Sequence, residues 1–545
     1  MQEKEFNLLT EPWIRVSTRS LEQKEVSLMD AMLHAQEYAG LAGEMPTQDA
    51  ALLRVLLAAA LTIFYRYDEN GNEDEISEEN DSDDETVLER WKKYWERGSF
   101  PETAVREYFQ RYSERFWLFH PETPFWQVNE LSYGTEYGVE CLVGNLKESN
   151  NKATRHHFSM TEGERLERIT YAEAARWIIH LNAYGVNVKT DKKAPGPNLP
   201  VGVGRLGQLG MVMMNGDDLF RIIMLNLCPL KNFTDIWNLP RPIWEQEIHS
   251  EQGREIAPPD NLPELYTIQS RRIKLDREDG WVVGYQAAGG DFYPTENAFN
   301  EPMTLWKEQK VDKKSERVSY IPRIHNPSVQ VWEEFPSLMC VQSTGHIPGV
   351  VQWVSTLNKT KTFVSERLIT FKMIGIVYGD QMKYTYGDSI HNTLTMSSDL
   401  LMDLGGEWIS AISDEVEKCQ NIASKAIGRF SSSVCKLFGG GTNYIKAMLV
   451  QNYYFHINIA FREWLSGIEP LQGEREKKIE QWEQKSYYYA KGAVEEFINM
   501  RCENIYAYKE DEGRILTIPQ ALNVYLGELR KIYPKAAQLH GKERQ

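Results

Sequence analysis

Apolar residues in the first part of the chain recur with helical spacing. Ser27–Glu37 and Gln48–Tyr67 place them three and four positions apart, and Thr47 stands where a helix N-cap belongs. Ala50–Tyr65 is the most apolar stretch of the chain. Arg54 interrupts it, so it reads as a buried core helix and not as a membrane span. Leu88–Arg115 continues as an aromatic-rich helix, and Tyr171–Asn182 predicts another. Leu219–Leu227 fits helix or strand. From Asp260 to Tyr378 the runs shorten and are separated by Gly, Pro and Asn, so Leu265–Leu275, Gly280–Tyr285 and Phe363–Tyr378 read as strands.

Past Ser397 the pattern changes. Leu404–Leu437, Asn443–Ser466, Gly473–Met500 and Thr517–Pro534 are four long amphipathic segments. Gly439–Thr442, a Pro470-centred turn and Asp511–Gly513 join them. Short links between long helices predict an up-and-down bundle. The expected fold is α+β: a large mixed α/β N-terminal domain over 1–396, followed by a C-terminal four-helix bundle over 397–545.

Composition allows more than one core: 545 residues, 42% hydrophobic, with 15 Trp and 27 Tyr. The six cysteines (141, 228, 340, 419, 435, 502) form no C-x-x-C pair, which argues for reduced thiols and against a zinc knuckle. The start, MQEKEFNLL, has no basic-then-apolar leader, so a cytoplasmic location without membrane attachment is expected.

The net charge of −17 argues against a nucleic-acid partner until its distribution is considered. Asp68–Glu85 holds eleven acids and no base, whereas acids and bases balance from Leu401 onward. The tract 68–85 therefore reads as an acidic, disordered, solvated insertion, and a basic groove elsewhere is permitted.

The cationic stretch is Lys189–Gly210, KTDKKAPGPNLPVGVGRLGQLG. Lys189, Lys192, Lys193 and Arg205 face only Asp191, and Pro and Gly exclude regular structure from its first half. Such a loop lets backbone N–H groups approach phosphate or a groove edge. Gly202, Gly204 and Gly207 spell G-x-G-x-x-G, but a proline-rich loop precedes them and the apolar run Met211–Met214 follows. The order is loop then strand, which excludes a dinucleotide fold. A second polar loop, Lys147–Phe158, ends in His156, His157 and Phe158. No third ligand sits at metal spacing, and the segment fits either a loop whose rings stack on RNA bases or a plain surface loop. No catalytic residue, cofactor or metal is expected.

These features together resemble the CasA family, the large subunit of the type I-E CRISPR Cascade surveillance complex. The resemblance rests on N-L-L-x-x-x-W-I-x-V (Asn7 to Val16), H-P…P-F-x-Q (His120 to Gln127) and Ala194-Pro195-Gly196. Gln269-Ser270-Arg271-Arg272, Tyr378-Gly379-Asp380-Gln381 and the C-terminal helices extend it over the whole chain. It implies a non-enzymatic subunit at the crRNA 5′ handle, beside CasB, CasC, CasD and CasE. That subunit reads the protospacer-adjacent motif (PAM) of double-stranded DNA, helps open an R-loop and recruits a helicase-nuclease.

By resemblance, a glycine loop falls on Gly196, Pro197 and Asn198, of which only Gly196 keeps the family glycine. A glutamine wedge falls on Gln381, preceded by Gly379 and Asp380, and a crRNA-proximal loop falls on His156, His157 and Phe158. The family's lysine finger would fall near Gly284–Phe292, which contains no lysine: either the finger is absent or it lies in another register. The rival readings are a helical scaffold without nucleic acid and a hydrolase around His156 and His157. The second lacks any G-x-S-x-G or H-E-x-x-H.

Overall fold

The computed structural model describes the chain apart from residues 1–3, 78–82, 144–166, 187, 189–201, 232–234, 248–249, 295–300, 311–317, 340–345, 361–367, 379–385, 403–404, 439–440, 471–472, 502–506, 512–513 and 543–545. Helix and sheet are mixed along it, and it divides into two compact units. The first comprises Met1–Pro327, Thr344–Val364 and Thr370–Thr393. The second comprises Ser328–Ser343, Ser365–Ile369 and Leu394–Gln545.

The first unit is built around the helix Pro46–Arg66, which packs on the helices Tyr171–Tyr184 and Leu262–Tyr266. By length and apolarity it would pass for a membrane span, yet 94% of its most apolar window is buried within the protein. Leu52, Leu53, Val55, Leu56 and Leu57 are all buried, each contributing about 1.5–3 kcal/mol by leaving water. Thr47 is not its N-cap. Met45 is, with Pro46 opening the first turn, and Thr47 Oγ1 instead meets His180 Nε2 at 3.0 Å.

Other expectations change for local reasons. The aromatic stretch Leu88–Arg115 is two helices, Asp84–Arg97 and Glu102–Arg111. Gly98 caps the first in the left-handed conformation (φ 74°), and Pro101 precedes the second. Leu265–Leu275 is not one strand: Asn261 caps the short helix Leu262–Tyr266, with Pro263 in its first turn, and the strand begins at Arg271. The acidic tract is not wholly solvated either. Asp68 accepts bonds from the Asn70 and Asn72 backbones, Ile76 is buried, Asp74 pairs with Arg90, and Asp83 caps the helix Asp84–Arg97. Residues 78–82 lie outside the described part.

Among the described residues there are three three-stranded sheets. Arg271–Glu278 pairs with Trp281–Gly289, whose other edge takes Thr135–Gly138. Leu368–Tyr378 lies between Met211–Met214 and Tyr386–Ser397. Ile14–Thr18 lies between Gln23–Val26 and Tyr38–Leu41.

The second unit holds the helices Gly406–Asn421, Ile427–Phe438, Thr442–Ser466, Arg475–Arg501, Ile518–Ile532 and Pro534–Lys542. A π-turn, Ile422–Ala426, joins the first two, and a hairpin of Tyr508–Asp511 and Arg514–Thr517 precedes Ile518–Ile532. Trp332 stacks on Phe461 (centroids 4.8 Å apart), so the 3₁₀ turn Val331–Glu334 supplies part of this core. At its centre Ser486 Oγ lies 3.2 Å from the hydroxyls of both Tyr453 and Tyr533. Cys141, Cys228, Cys419 and Cys435 carry thiols and form no disulfide, whereas Cys340 and Cys502 lie outside the described residues.

Candidate nucleic-acid interface

Gly196, Pro197, Asn198, Gly379, Asp380, Gln381, His156, His157 and Phe158 all lie outside the described residues. The structure instead defines the frame from which their three segments leave. The helix Tyr171–Tyr184 is central to it. Its start is fixed by a capping box in which the Thr170 side chain accepts from the Glu173 N–H and Glu173 reaches back to the Thr170 N–H. Arg176 holds it against the N-terminal sheet, donating to Trp13 O (2.6 Å), Glu25 (2.8 Å) and Glu44 (2.6 Å). Burial alone would raise the Glu44 pKa, but the hydrogen bonds and charge of Arg176 outweigh it and hold the carboxyl below its ordinary value.

The 144–166 segment precedes this helix and the 189–201 segment follows it. With 14 residues at about 1.5 Å each, their roots stand about 20 Å apart along one axis. The root of the third segment comes close to the second. Tyr378, the last described residue before 379–385, donates its hydroxyl to Tyr184 O at 2.7 Å. The same ring fills the space beside Gly207, where a Cβ would meet the hydroxyl oxygen at 2.1 Å. Gly204 N donates to Gly185 O (2.7 Å), closing the 189–201 loop at its base. The Gly202–Gly207 region then runs through a 3₁₀ turn, Arg205–Gln208, into the strand Met211–Met214, as the rejection of a dinucleotide fold requires.

Beneath these roots the charges are committed. Arg54 grips Glu301 with two bonds (2.6 and 2.8 Å) and lies over the Tyr266 ring at 4.1 Å, while Arg205 lies over Tyr293 at 3.8 Å. Burial lowers the His180 pKa to about 3 and that of His325 to about 4, so both rings are neutral at physiological pH. Among the described residues, no group of three or more His, Cys, Asp or Glu is placed to hold a metal ion.

The H-P…P-F-x-Q segment locks structure. His120 Nδ1 accepts from the Glu122 and Thr123 backbones, Gln127 Nε2 donates to Leu118 O, and Gln127 Oε1 accepts from Leu275 N. An open groove of about 320 Å³ lies between this segment and Lys274–Arg277. Tyr378 and Arg271 stand in the sequence only as parts of family-like motifs, with no hint of the bonds they make, and nothing in the sequence singles out the buried Arg176. Two adjacent arginines opening an otherwise apolar strand, Arg271-Arg272, were the available signal.

The family model for CRISPR-associated protein Cse1 matches residues 7–493. The chain therefore belongs to the Cse1 family, also called CasA, the large subunit of type I-E Cascade. The CRISPR-associated protein CasA/Cse1 of Thermus thermophilus is 29% identical over 391 residues, covering 69% of this chain and 68% of that protein. The crystal structure of Thermobifida fusca Cse1 superposes with a TM-score of 0.81 at 24% identity, covering 97% of this chain and 98% of the other. Cse1 from Acidimicrobium ferrooxidans gives 0.75 at 22% identity, with 99% of both chains covered. A chain of a CRISPR RNA-guided surveillance complex gives 0.69 at 16% identity, covering 97% of this chain and all of that one.

Proposed function

We propose that this chain is the PAM-reading large subunit of a type I-E Cascade and is not an enzyme. It binds the crRNA 5′ handle through the segment bearing His156, His157 and Phe158, and works beside CasB, CasC, CasD and CasE. It reads the PAM of double-stranded DNA through Gly196, Pro197 and Asn198, opens the duplex with Gln381 and recruits the helicase-nuclease. One observation supports the reading: Tyr378, just before 379–385, bonds Tyr184 O at the end of the helix that leads toward 189–201, a juxtaposition that suits a reading loop beside a wedge. A minor groove offers a degenerate donor and acceptor pattern, which a short backbone-rich loop suffices to read. A polar wedge beside it unstacks the first step at a cost of a few kcal/mol. In RNA-guided recognition the protein reads the short motif and base pairing reads the rest.

The test is R-loop formation by the reconstituted complex. Gln381→Ala is expected to slow it about tenfold or more on a fully paired target, since about 1.4 kcal/mol is worth a factor of ten. On a target already melted beside the PAM the variant should match the parent. Equal defects on both targets would remove Gln381 from the interface.

A further inference from the structure

We propose that Arg271 is the positioning residue of the 189–201 loop. Its single guanidinium clamps both roots of that loop and thereby sets the span with which the loop meets DNA. The proposal rests on the duplex-reading function argued above. Arg271 opens the strand Arg271–Glu278 and is wholly buried. Its Nη2 donates to Gly185 O (3.1 Å) and Val186 O (3.0 Å) on the leading root, and to Gly202 O (2.6 Å) on the trailing root. Carbonyls that share one donor nitrogen cannot stand farther apart than two hydrogen bonds. The loop is therefore closed at its base whatever lies between.

The clamp is itself held. Arg271 Nη1 donates to Ser270 O (2.9 Å), and the Arg271 backbone N–H donates to Asn182 Oδ1 (2.9 Å). Ser270 Oγ donates to Asn182 O (2.6 Å), so the strand start is stitched to the last turn of the helix Tyr171–Tyr184. The trailing root has no slack either, because a Cβ on Gly204 would lie 2.5 Å from the Ala183 carbonyl carbon.

Arginine suits this position for a physical reason. Irregular backbone leaves carbonyls without ladder partners, and a buried unsatisfied carbonyl costs about 1–3 kcal/mol. A guanidinium can bridge the two roots through Nη2 while Nη1 is anchored to Ser270 O, whereas a lysine ammonium has no second nitrogen to hold it in place. Holding the roots before DNA arrives also removes ordering cost from the binding step, which raises affinity without any new contact.

The experiment uses the reconstituted complex carrying Arg271→Lys and three ligands: PAM-bearing duplex, the same duplex with the PAM scrambled, and single-stranded DNA complementary to the guide. Affinity for the PAM-bearing duplex is expected to fall about tenfold or more, about 1.4 kcal/mol or more, and its advantage over the scrambled duplex to shrink toward one. Single-strand affinity, which needs no PAM reading, stays at the parent value. Gly204→Ala moves the trailing root off Ala183 without touching Arg271 and should flatten PAM discrimination in the same way. If Arg271→Lys does not assemble, this second variant decides. Unchanged discrimination in either assembled variant, or an equal loss on all three ligands, overturns the proposal. Gly196→Asp keeps the two levels apart. If it also leaves discrimination intact, the duplex-reading function has failed. If it abolishes discrimination while Arg271→Lys and Gly204→Ala do not, only the clamp has.

Discussion

In the first unit four arginines, Arg54, Arg176, Arg271 and Arg272, are at most 3% exposed, and each donates to carbonyls or carboxylates from distant parts of the chain. Among its described residues the second unit buries no arginine; a serine, two tyrosines and a cysteine meet at its centre. The difference follows from the backbone. Helices satisfy their own N–H and C=O groups, so a helical core has only a few hydroxyls to place. The first unit threads irregular segments through its interior, and their carbonyls need long side chains with several donors. Arg271 and Arg272 mark where irregular backbone enters the interior, since both donate to its carbonyls.

The largest loss of stability is expected at Arg54. Arg54→Met leaves the Glu301 carboxylate buried and unpaired, a loss of about 3–5 kcal/mol in urea unfolding, and adding Glu301→Gln should restore most of it. A loss below about 1 kcal/mol would mean that the arginine merely fills space.

The charged exception in the second unit sharpens the contrast at intermediate size. Burial, followed by the nearby Glu483 and Asp414, raises the Glu415 pKa to about 7 against the pull of Lys418. A carboxyl whose folded pKa is raised binds its proton more tightly when folded. Its stabilising contribution is therefore complete below the unfolded pKa and is lost as pH rises through about 7. Glu415→Gln should gain roughly 1–3 kcal/mol on the parent between about pH 5 and pH 8. Parallel melting profiles at the two pH values would contradict this.

The smallest expected effect lies in the acidic tract. Replacing residues 78–82 with a neutral linker should change stability by less than about 0.5 kcal/mol, whereas Asp83→Ala should cost about 1 kcal/mol by uncapping the helix Asp84–Arg97. Thermal melts of both variants separate the cap from the charge.

Periodicity made the helices legible, because it reports which face is buried. It could not report that Gly98 turns left-handed inside the stretch 88–115, nor that Asn261 and Pro263 would claim Leu262–Tyr266 for a helix. Nor could spacing bring Trp332 to Phe461 across more than a hundred residues, so a cut at 397 leaves out part of the second unit's core. The resemblance carried the family. Arg271 was legible only as part of a family-like motif, because a buried arginine and a surface arginine look alike in a string of letters, and its partners are carbonyls that any residue supplies.

The helix Tyr171–Tyr184 carries one of these segments at each end, and this restricts which insertions and deletions the gene can accept. Either flanking segment can lengthen or shorten while the helix stays in place, since closure entropy changes slowly with loop length. One residue added inside the helix would instead turn everything beyond it by about 100° and advance it about 1.5 Å. Arg176 would leave its carboxylates, or else Tyr184 would leave Tyr378. Drift in length is thereby steered into the very segments proposed to touch nucleic acid, where it can retune recognition without dismantling the fold.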